Sequence, residues 1–226
     1  VFAVAWDKKP SDGKKGTKMF AFYPSVHDFF RALCTLPASQ RYAYEIIIEN
    51  KPCSNYADVE WVGEHDATHE KMRLLVQLLR DYCLRVHKCP AKVFTACSSR
   101  VVDAKAGSWK NSYHLVIENL VFQNNCSGDM KAFWKNFIDE HLKGDEWCWD
   151  KNGKQMPYID MGVYTKNRQI RLPLCSKRGI DVCFHRINGN PLDTDDKFTS
   201  RYDEADPNAC KPFVISNSPV AGDGVV

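Results

Sequence analysis

Apolar residues recur at helical spacing in three stretches of the chain. Val26, Phe29, Phe30 and Leu33 fall at i, i+3, i+4 and i+7, with Ser25 placed to cap the start and Pro37 just beyond the end. Met72, Leu75, Val76, Leu79, Cys83 and Val86 form a longer stripe that stops near Pro90. A third helix is predicted from about Asp129 to Lys143, on Phe133, Trp134, Phe137 and Ile138. Between these lie short runs rich in β-branched and aromatic residues, predicted as strands: Ala43–Glu49, Tyr56–Val62, Lys92–Cys97, Ser112–Glu118, Tyr158–Tyr164, Gln169–Leu174 and Asp181–Ile187. The polar opening from Asp7 to Lys18, with five lysines and two glycines, reads as a mobile loop. Helices interspersed with strands, and late strands that follow one another without a helix, predict an α+β fold rather than a regular parallel α/β one.

Composition narrows the class. At 226 residues, 44% hydrophobic and 26% charged, the chain has ordinary globular proportions that exclude a disordered, collagenous or low-complexity protein. One compact unit over residues 1–226 is the expectation. The apolar runs fall far short of the roughly 18 residues of a membrane span, and no charged-then-apolar leader opens the chain, so a soluble protein is expected. The start at Val1 and the small-residue tail Ser218 to Val226 suggest a piece of something longer. Ten scattered cysteines read as reduced core thiols of an intracellular protein rather than a disulfide framework. Cys83 and Cys89, the nearest approach to a zinc-type pair, lie across a predicted helix end, and no zinc is expected in this segment.

The net charge of +3 does not by itself announce a nucleic-acid partner, but its distribution is informative. From Met161 to Ile180 there are five basic residues (Lys166, Arg168, Arg171, Lys177, Arg178) and no acidic one, a stretch able to face phosphate. Asp193 to Asp206 carries six acidic residues and reads as a solvated loop.

Three windows could carry chemistry. In Asp58-Val59-Glu60 the two carboxylates project from one face of a strand, about 6 to 7 Å apart, a separation that oxygen ligands bridge through hard cations; two solvent-facing strand positions would look the same. In Lys110-Asn111-Ser112-Tyr113-His114 the first, third and fifth residues share a face, with Tyr113, Leu115 and Ile117 on the other. Such a row of donors suits a triphosphate, and a half-exposed strand with a core histidine is the alternative. The third window runs from Tyr158 to Leu172, where Asp160 sits in an apolar strand ahead of Lys166, Arg168 and Arg171, with Lys177 following; Asp160 as a turn cap above a solvated basic hairpin is the alternative. There is no G-x-S-x-G elbow, no Walker-type loop and no strand-linked G-x-G-x-x-G, so a nucleotide would be held by side chains. Taken together, three carboxylates (Asp58, Glu60, Asp160) and six donors (Lys110, Ser112, His114, Arg168, Arg171, Lys177) are the parts needed for two-metal nucleotidyl transfer.

The order D-x-E, then S-x-H, then apolar-Asp-x-G-V-Y-T-K-N-R-x-x-R-L with a lysine six residues after the last arginine resembles the archaeo-eukaryotic primase superfamily, most closely its PrimPol members. Tyr44 to Glu60 resembles the family's segment leading into its first motif, and the resemblance runs from about Tyr44 to Lys177. It implies two packed modules, an RRM-like mixed or antiparallel catalytic sheet over residues 51–226 and a smaller N-terminal α/β module over residues 1–50 that helps hold template. It implies a DNA-directed primase-polymerase, a nucleotidyltransferase of DNA replication and damage tolerance that joins nucleoside triphosphates on single-stranded DNA, with or without a primer. Asp58, Glu60 and Asp160 would ligate two Mg2+ or Mn2+ ions. Lys110, Ser112 and His114 would contact the triphosphate, and Arg168, Arg171 and Lys177 would complete the pocket. Tyr44 falls where the family places an aromatic near the sugar, a position expected to influence ribo- versus deoxyribonucleotide choice. Gln169 and Ile170 replace the usual Asn-Phe, Pro173 interrupts the strand after Arg171, and the zinc domain that assists priming in PrimPols is not in this chain. Expected partners are template, primer, nucleotides and a helicase or single-strand-binding protein, with no membrane, at a nuclear, mitochondrial or viral replication site. A metal-dependent nuclease and a non-catalytic single-strand-binding module are the alternative functions.

Overall fold

In a computed structural model, which describes residues 1–8, 17–126, 128–180, 182, 185–186, 210 and 214–216, the chain opens with two strands that the periodicity does not announce. β1 (Phe2–Asp7) and β2 (Lys18–Tyr23) form an antiparallel hairpin whose ends, Asp7 and Lys18, belong to the segment expected as a loop; residues 9–16 lie outside the described residues. β1 is buried along most of its length and β2 exposes Phe20 and Phe22, so neither shows a clean alternation of apolar and polar positions.

The predicted helices are present. α1 (Val26–Cys34) starts where Ser25 Oγ accepts from Asp28 N at 3.1 Å, and buries Val26, Phe29, Phe30 and Leu33. β3 (Ala43–Ile47) and β4 (Cys53–Gly63) follow, the latter beginning three residues before the expected Tyr56. α2 (Glu70–His87) buries Met72, Leu75, Val76, Leu79, Tyr82 and Cys83. Val86, expected on that stripe, is exposed, because the rings of Tyr82 and His87 against Phe133 of the third helix close the core there. β5 (Val93–Cys97), β6 (Arg100–Asp103) and the long β7 (Ser108–Phe122) lead to α3 (Gly128–His141), which buries Met130, Phe133, Trp134 and Phe137. β8 (Cys148–Lys151) and β9 (Lys154–Pro157) make a second hairpin, followed by β10 (Arg168–Arg171) and β11 (His185–Arg186). β10 stops short of the predicted Leu174, since Pro173 has no amide to give a ladder and Leu174 has φ 61°. Of the predicted strand Asp181–Ile187, His185 and Arg186 pair with Cys97 and Ala96; the remainder, apart from Val182, lies outside the described residues, as do the acidic segment from Asp193 to Asp206 and the tail from Ser218.

The described strand pairs are antiparallel, which with three α-helices makes an α+β architecture. One sheet has the order β10-β3-β1-β2 and is backed by α1; the other has the order β11-β5-β7-β4, with β6 on β7, and is backed by α2 and α3. A further two-stranded sheet is the β8–β9 hairpin. Of the nine cysteines among the described residues, five are buried. Among those residues no helix is long and apolar enough to cross a membrane.

The two sheets are tied together by residues from the far end of the chain. Glu45 on β3 is 1% exposed, and its carboxylate accepts from Ile215 N, Ser216 N and Ser216 Oγ, each at 3.1 Å. Ser54 N on β4 donates to Ile215 O at 2.9 Å. Burial still raises the Glu45 pKa to about 7, against the pull of these donors. A carboxyl raised from 4.5 to about 7 stabilises the fold fully below 4.5 and loses that contribution as pH rises through about 7, at most on the order of 3 kcal/mol. Urea unfolding of Glu45→Gln is therefore expected to show a smaller fall in stability from pH 4.5 to 7 than the parent chain.

Candidate active site

β4 and β7 run antiparallel in a register that sets Asp58 directly opposite His114, Glu60 opposite Ser112 and Val62 opposite Lys110. Directly opposed residues emerge on the same face of a sheet, so the first two sequence windows become one surface. The reverse face carries Val59, Trp61, Tyr113, Leu115 and Ile117, all buried, which is the segregation the alternation predicts. On the polar face Lys110 Nζ forms an ion pair with Glu60, and His114 Nε2 lies 3.9 Å from Asp58 Oδ1.

Asp160 reaches this surface by a different route from the one expected. Tyr158–Tyr164 is not a strand but a single bridge and a turn: Ile159 pairs with Val59, Glu60 N donates to Tyr158 O at 2.8 Å, and Asp160 N donates to Asp58 O at 2.9 Å. The chain then turns through a 3₁₀ segment, Met161–Val163, because Asp160 Oδ1 accepts from Gly162 N at 2.8 Å and caps it. A Cβ at position 162 would lie 3.0 Å from that oxygen, so glycine keeps the cap unstrained. Tyr56 Oη donates to Val163 O at 2.9 Å, Tyr164 Oη to Tyr56 O at 2.9 Å, and Asn125 Nδ2 to Thr165 O at 3.0 Å, fastening the turn to β4. Asp160 is thus both the turn cap of the alternative reading and a third carboxylate beside the other two.

The carboxylates feel one another. Burial, then the charges of Glu60 and Asp160, push the Asp58 pKa up to about 7, opposed by Lys110 and Arg171. Across the cleft β10 supplies Arg171, which pairs with Tyr44 of β3 and whose Nη2 donates to Ser98 Oγ at 3.3 Å. Arg168 Nη1 donates to Gly162 O at 3.5 Å, while its Nε is buried with no hydrogen-bond partner among the described residues. Burial, with Arg171 and Arg168 adding to it, holds the His114 pKa well below the ordinary imidazole value, so the ring is neutral at pH 7 and has one N–H to offer.

Other sites from the sequence are placed less centrally. Tyr44 stands on the same sheet face as Arg171, but its hydroxyl donates to Asp7 Oδ2 at 3.0 Å and Lys18 Nζ sits 3.6 Å above its ring. Lys177 is exposed in the turn after β10, and its neighbour Arg178 reaches Lys8 O and the Tyr42 ring. Lys166 pairs with Glu49 at 2.7 Å. Three participants carry no sequence signal. Ser98, fully buried, receives Arg171 and donates its N–H to Ser112 O at 2.9 Å; Ser99 Oγ accepts from Ser112 N at 3.2 Å; Arg100 lies opposite Lys110 and bears on Arg171.

Asp58, Glu60 and Asp160 offer the hard oxygen donors that Mg2+ or Mn2+ require, and the crowding that raises Asp58 is what a bound cation would relieve. Among the described residues no three His, Cys, Asp or Glu side chains converge as a closed ligand set: Glu60 is engaged by Lys110 and Asp160 Oδ1 by Gly162. Lys110 meets only Oε2 of Glu60, which leaves Oε1 to face a cation.

No protein-family profile matches the chain. Over 221 residues it is 23% identical to the DNA-directed primase/polymerase protein of Danio rerio, covering 81% of this chain and 40% of that protein. Over 151 residues it is 26% identical to the uncharacterized protein ORF49 of Ostreid herpesvirus 1 (isolate France), covering 60% of this chain and 13% of that one. The chain therefore spans well under half the length of either.

The fastening of the Asp160 turn is measurable. Tyr56→Phe removes one of the two donors to the Val163 carbonyl, leaving Thr165 N at 3.1 Å, and is expected to lower the unfolding free energy by about 0.5–1.5 kcal/mol in urea titrations, with no change in far-ultraviolet circular dichroism.

Proposed function

We propose that this chain is the nucleotidyl-transferring core of a primase-polymerase of the archaeo-eukaryotic primase type, acting on single-stranded DNA. The observation that carries the reading is the β4–β7 register, which brings D-x-E and K-x-S-x-H together on one face, bordered by Asp160, by Arg168 against the Asp160 turn and by Arg171 at Ser98. The similarity to a DNA-directed primase/polymerase supports the activity at a coarse level, and the α+β architecture is compatible with a two-module fold, although the sheet of the expected 1–50 module also takes in β10.

In this reading Lys110, Ser112, His114, Arg168 and Arg171 cradle the phosphates of an incoming nucleoside triphosphate. The cationic side chains offset its charge, and Ser112 with neutral His114 supplies hydrogen bonds that set its orientation. Asp58, Glu60 and Asp160 would hold two divalent cations, which supply charge neutralisation and a lowered pKa for the attacking hydroxyl. The 3′ oxygen bonds to the α-phosphorus in line, the bond to the β-phosphate oxygen breaks, and pyrophosphate leaves beside the arginines. Ser98 holds Arg171 in place, and Tyr44 borders the sugar. Lys177, exposed after β10, completes the pocket from its margin, whereas Arg171 is held at Ser98. Template, primer, a helicase or single-strand-binding protein, and a nuclear, mitochondrial or viral replication site belong to the same proposal.

Extension of a labelled primer on a single-stranded template, and of the same template unprimed, tests it with either metal. The parent chain is expected to add templated nucleotides and Asp58→Ala/Glu60→Ala to lose roughly a thousandfold of that rate. Cleavage of the template without pyrophosphate release would establish a nuclease instead, and metal-independent strand binding with no turnover a binding module. Within the active enzyme, Arg171→Ala is expected to raise the nucleotide KM by about tenfold or more, as loss of a charge-assisted contact does, and Lys177→Ala by less than about twofold.

A further inference from the structure

The donor wall accounts for one side of the carboxylates; a groove of about 450 Å³ opens on another. Glu60 and Asp160 line it, and none of Lys110, Ser112, His114, Arg168 or Arg171 does. Its far wall is the β8–β9 hairpin. Trp149 lies opposite Met156, and Lys151 opposite Lys154, so on strand alternation these four side chains share one face as an apolar pair followed two residues on by a cationic pair, with Lys151 Nζ 5.6 Å from the centre of the Trp149 ring. Asn152 and Gly153 at the tip both have positive φ, the backbone that a two-residue hairpin needs, and Gly153 N donates to Asp150 Oδ1 at 3.0 Å, so the array is held in register. Trp149 packs against the core on one side and remains partly open on the other. Like charges directly opposed across a hairpin destabilise it, and neither lysine has an ion pair among the described residues; an anion between them would remove that cost.

We propose that this groove binds the attacking nucleotide, the one whose free 3′ hydroxyl is to be extended, with its base against Trp149 and Met156 and its 5′ phosphate between Lys151 and Lys154. The inference rests on the nucleotidyl-transfer reading above. In-line transfer needs the attacking oxygen and the leaving pyrophosphate on opposite sides of the α-phosphorus, and the donor wall already claims the leaving side. The groove is continuous with Glu60 and Asp160 and offers what a nucleotide end presents: an aromatic ring for a base and paired cations for a phosphate. The hydroxyl oxygen forms its bond to the α-phosphorus, its proton passes to water, and pyrophosphate departs along the arginines. A strand terminus and a first, unlinked nucleotide share this chemistry.

The test uses the full chain in steady-state extension, titrating primer end and nucleotide separately. Trp149→Ala and Lys151→Ala/Lys154→Ala are expected to raise the KM for the primed end roughly tenfold, the scale of one lost base stack, and to leave the nucleotide KM within about twofold. Trp149→Phe should restore most of the loss. On unprimed template the same variants should raise the KM of the initiating nucleotide if the groove also serves the first step, and leave it unchanged if it serves strand ends alone. A change confined to the nucleotide KM of extension, or no change in the lysine variant, overturns the proposal. If the parent chain extends nothing, the functional reading fails by itself. The groove is then tested by photocrosslinking a 5′-labelled deoxyoligonucleotide with a photoreactive 3′-terminal base: adducts within residues 149–161 support it, and adducts elsewhere or none overturn it.

Discussion

The pairing of β4 with β7 is the constraint on which the rest depends. Side chains alternate along a strand, so a slip of one residue would drive Asp58 and Glu60 into the core and expose Val59 and Trp61. The apolar face prevents it. Trp61 stacks on Tyr158 at 4.7 Å and on Tyr113 at 5.6 Å, and Val59 and Leu115 are fully buried. Polar anchors reinforce the register: buried Asn111 donates to Glu64 O at 2.8 Å and accepts from Asp66 N at 3.1 Å, and a bulge between Ser54 and Asn55 leaves Asn55 Oδ1 to receive Trp134 Nε1 at 2.7 Å. The core thus selects which residues face the cleft, and chemistry occupies what the core leaves.

Two unfavourable crowds face each other there. Burial and then the charges of Glu60 and Asp160 raise the pKa of Asp58, and burial and then two partly buried arginines depress that of His114. Each crowd moderates the other, since Lys110 and Arg171 lower Asp58 and Asp58 favours the charged form of Arg171. Neither is placed by neighbours in sequence. β10 belongs to the first sheet and contributes its arginines to carboxylates on the second, so the cleft exists only where the two sheets meet.

Much of this was legible in the chain because it rests on local periodicity. Ser25 with Val26, Phe29, Phe30 and Leu33 defines α1, and the alternation in Lys110 to Ile117 separates the donor row from the core before any partner strand is known. The chemistry of Asp58, Glu60, Ser112 and His114 was legible as residue types; that they lie rung against rung was not, because register is a property of two strands. Failures have the same origin. β1 and β2 are respectively buried and exposed across much of both faces, so the period of two is lost. Tyr158 to Tyr164 has a strand's composition, but the cap from Asp160 to Gly162 outweighs it. The β8–β9 hairpin was signalled only by Asn152-Gly153, its polar strands resembling loop. Ser98 has no pattern at all, since its role comes from an arginine far along the chain.

The catch of Ile215 and Ser216 by Glu45 bears on how the molecule is made. Glu45 and Ser54 emerge early in synthesis, whereas their partners are among the last described residues to leave the ribosome. Until then a carboxylate meant for the interior has no amide donors, and the edge of β4 at Ser54 has an open N–H. The joint between the sheets therefore waits until residues 215 and 216 have been made and have left the ribosome, so the contact that ties β3 to β4 through them closes late, as contacts between distant parts of a chain do.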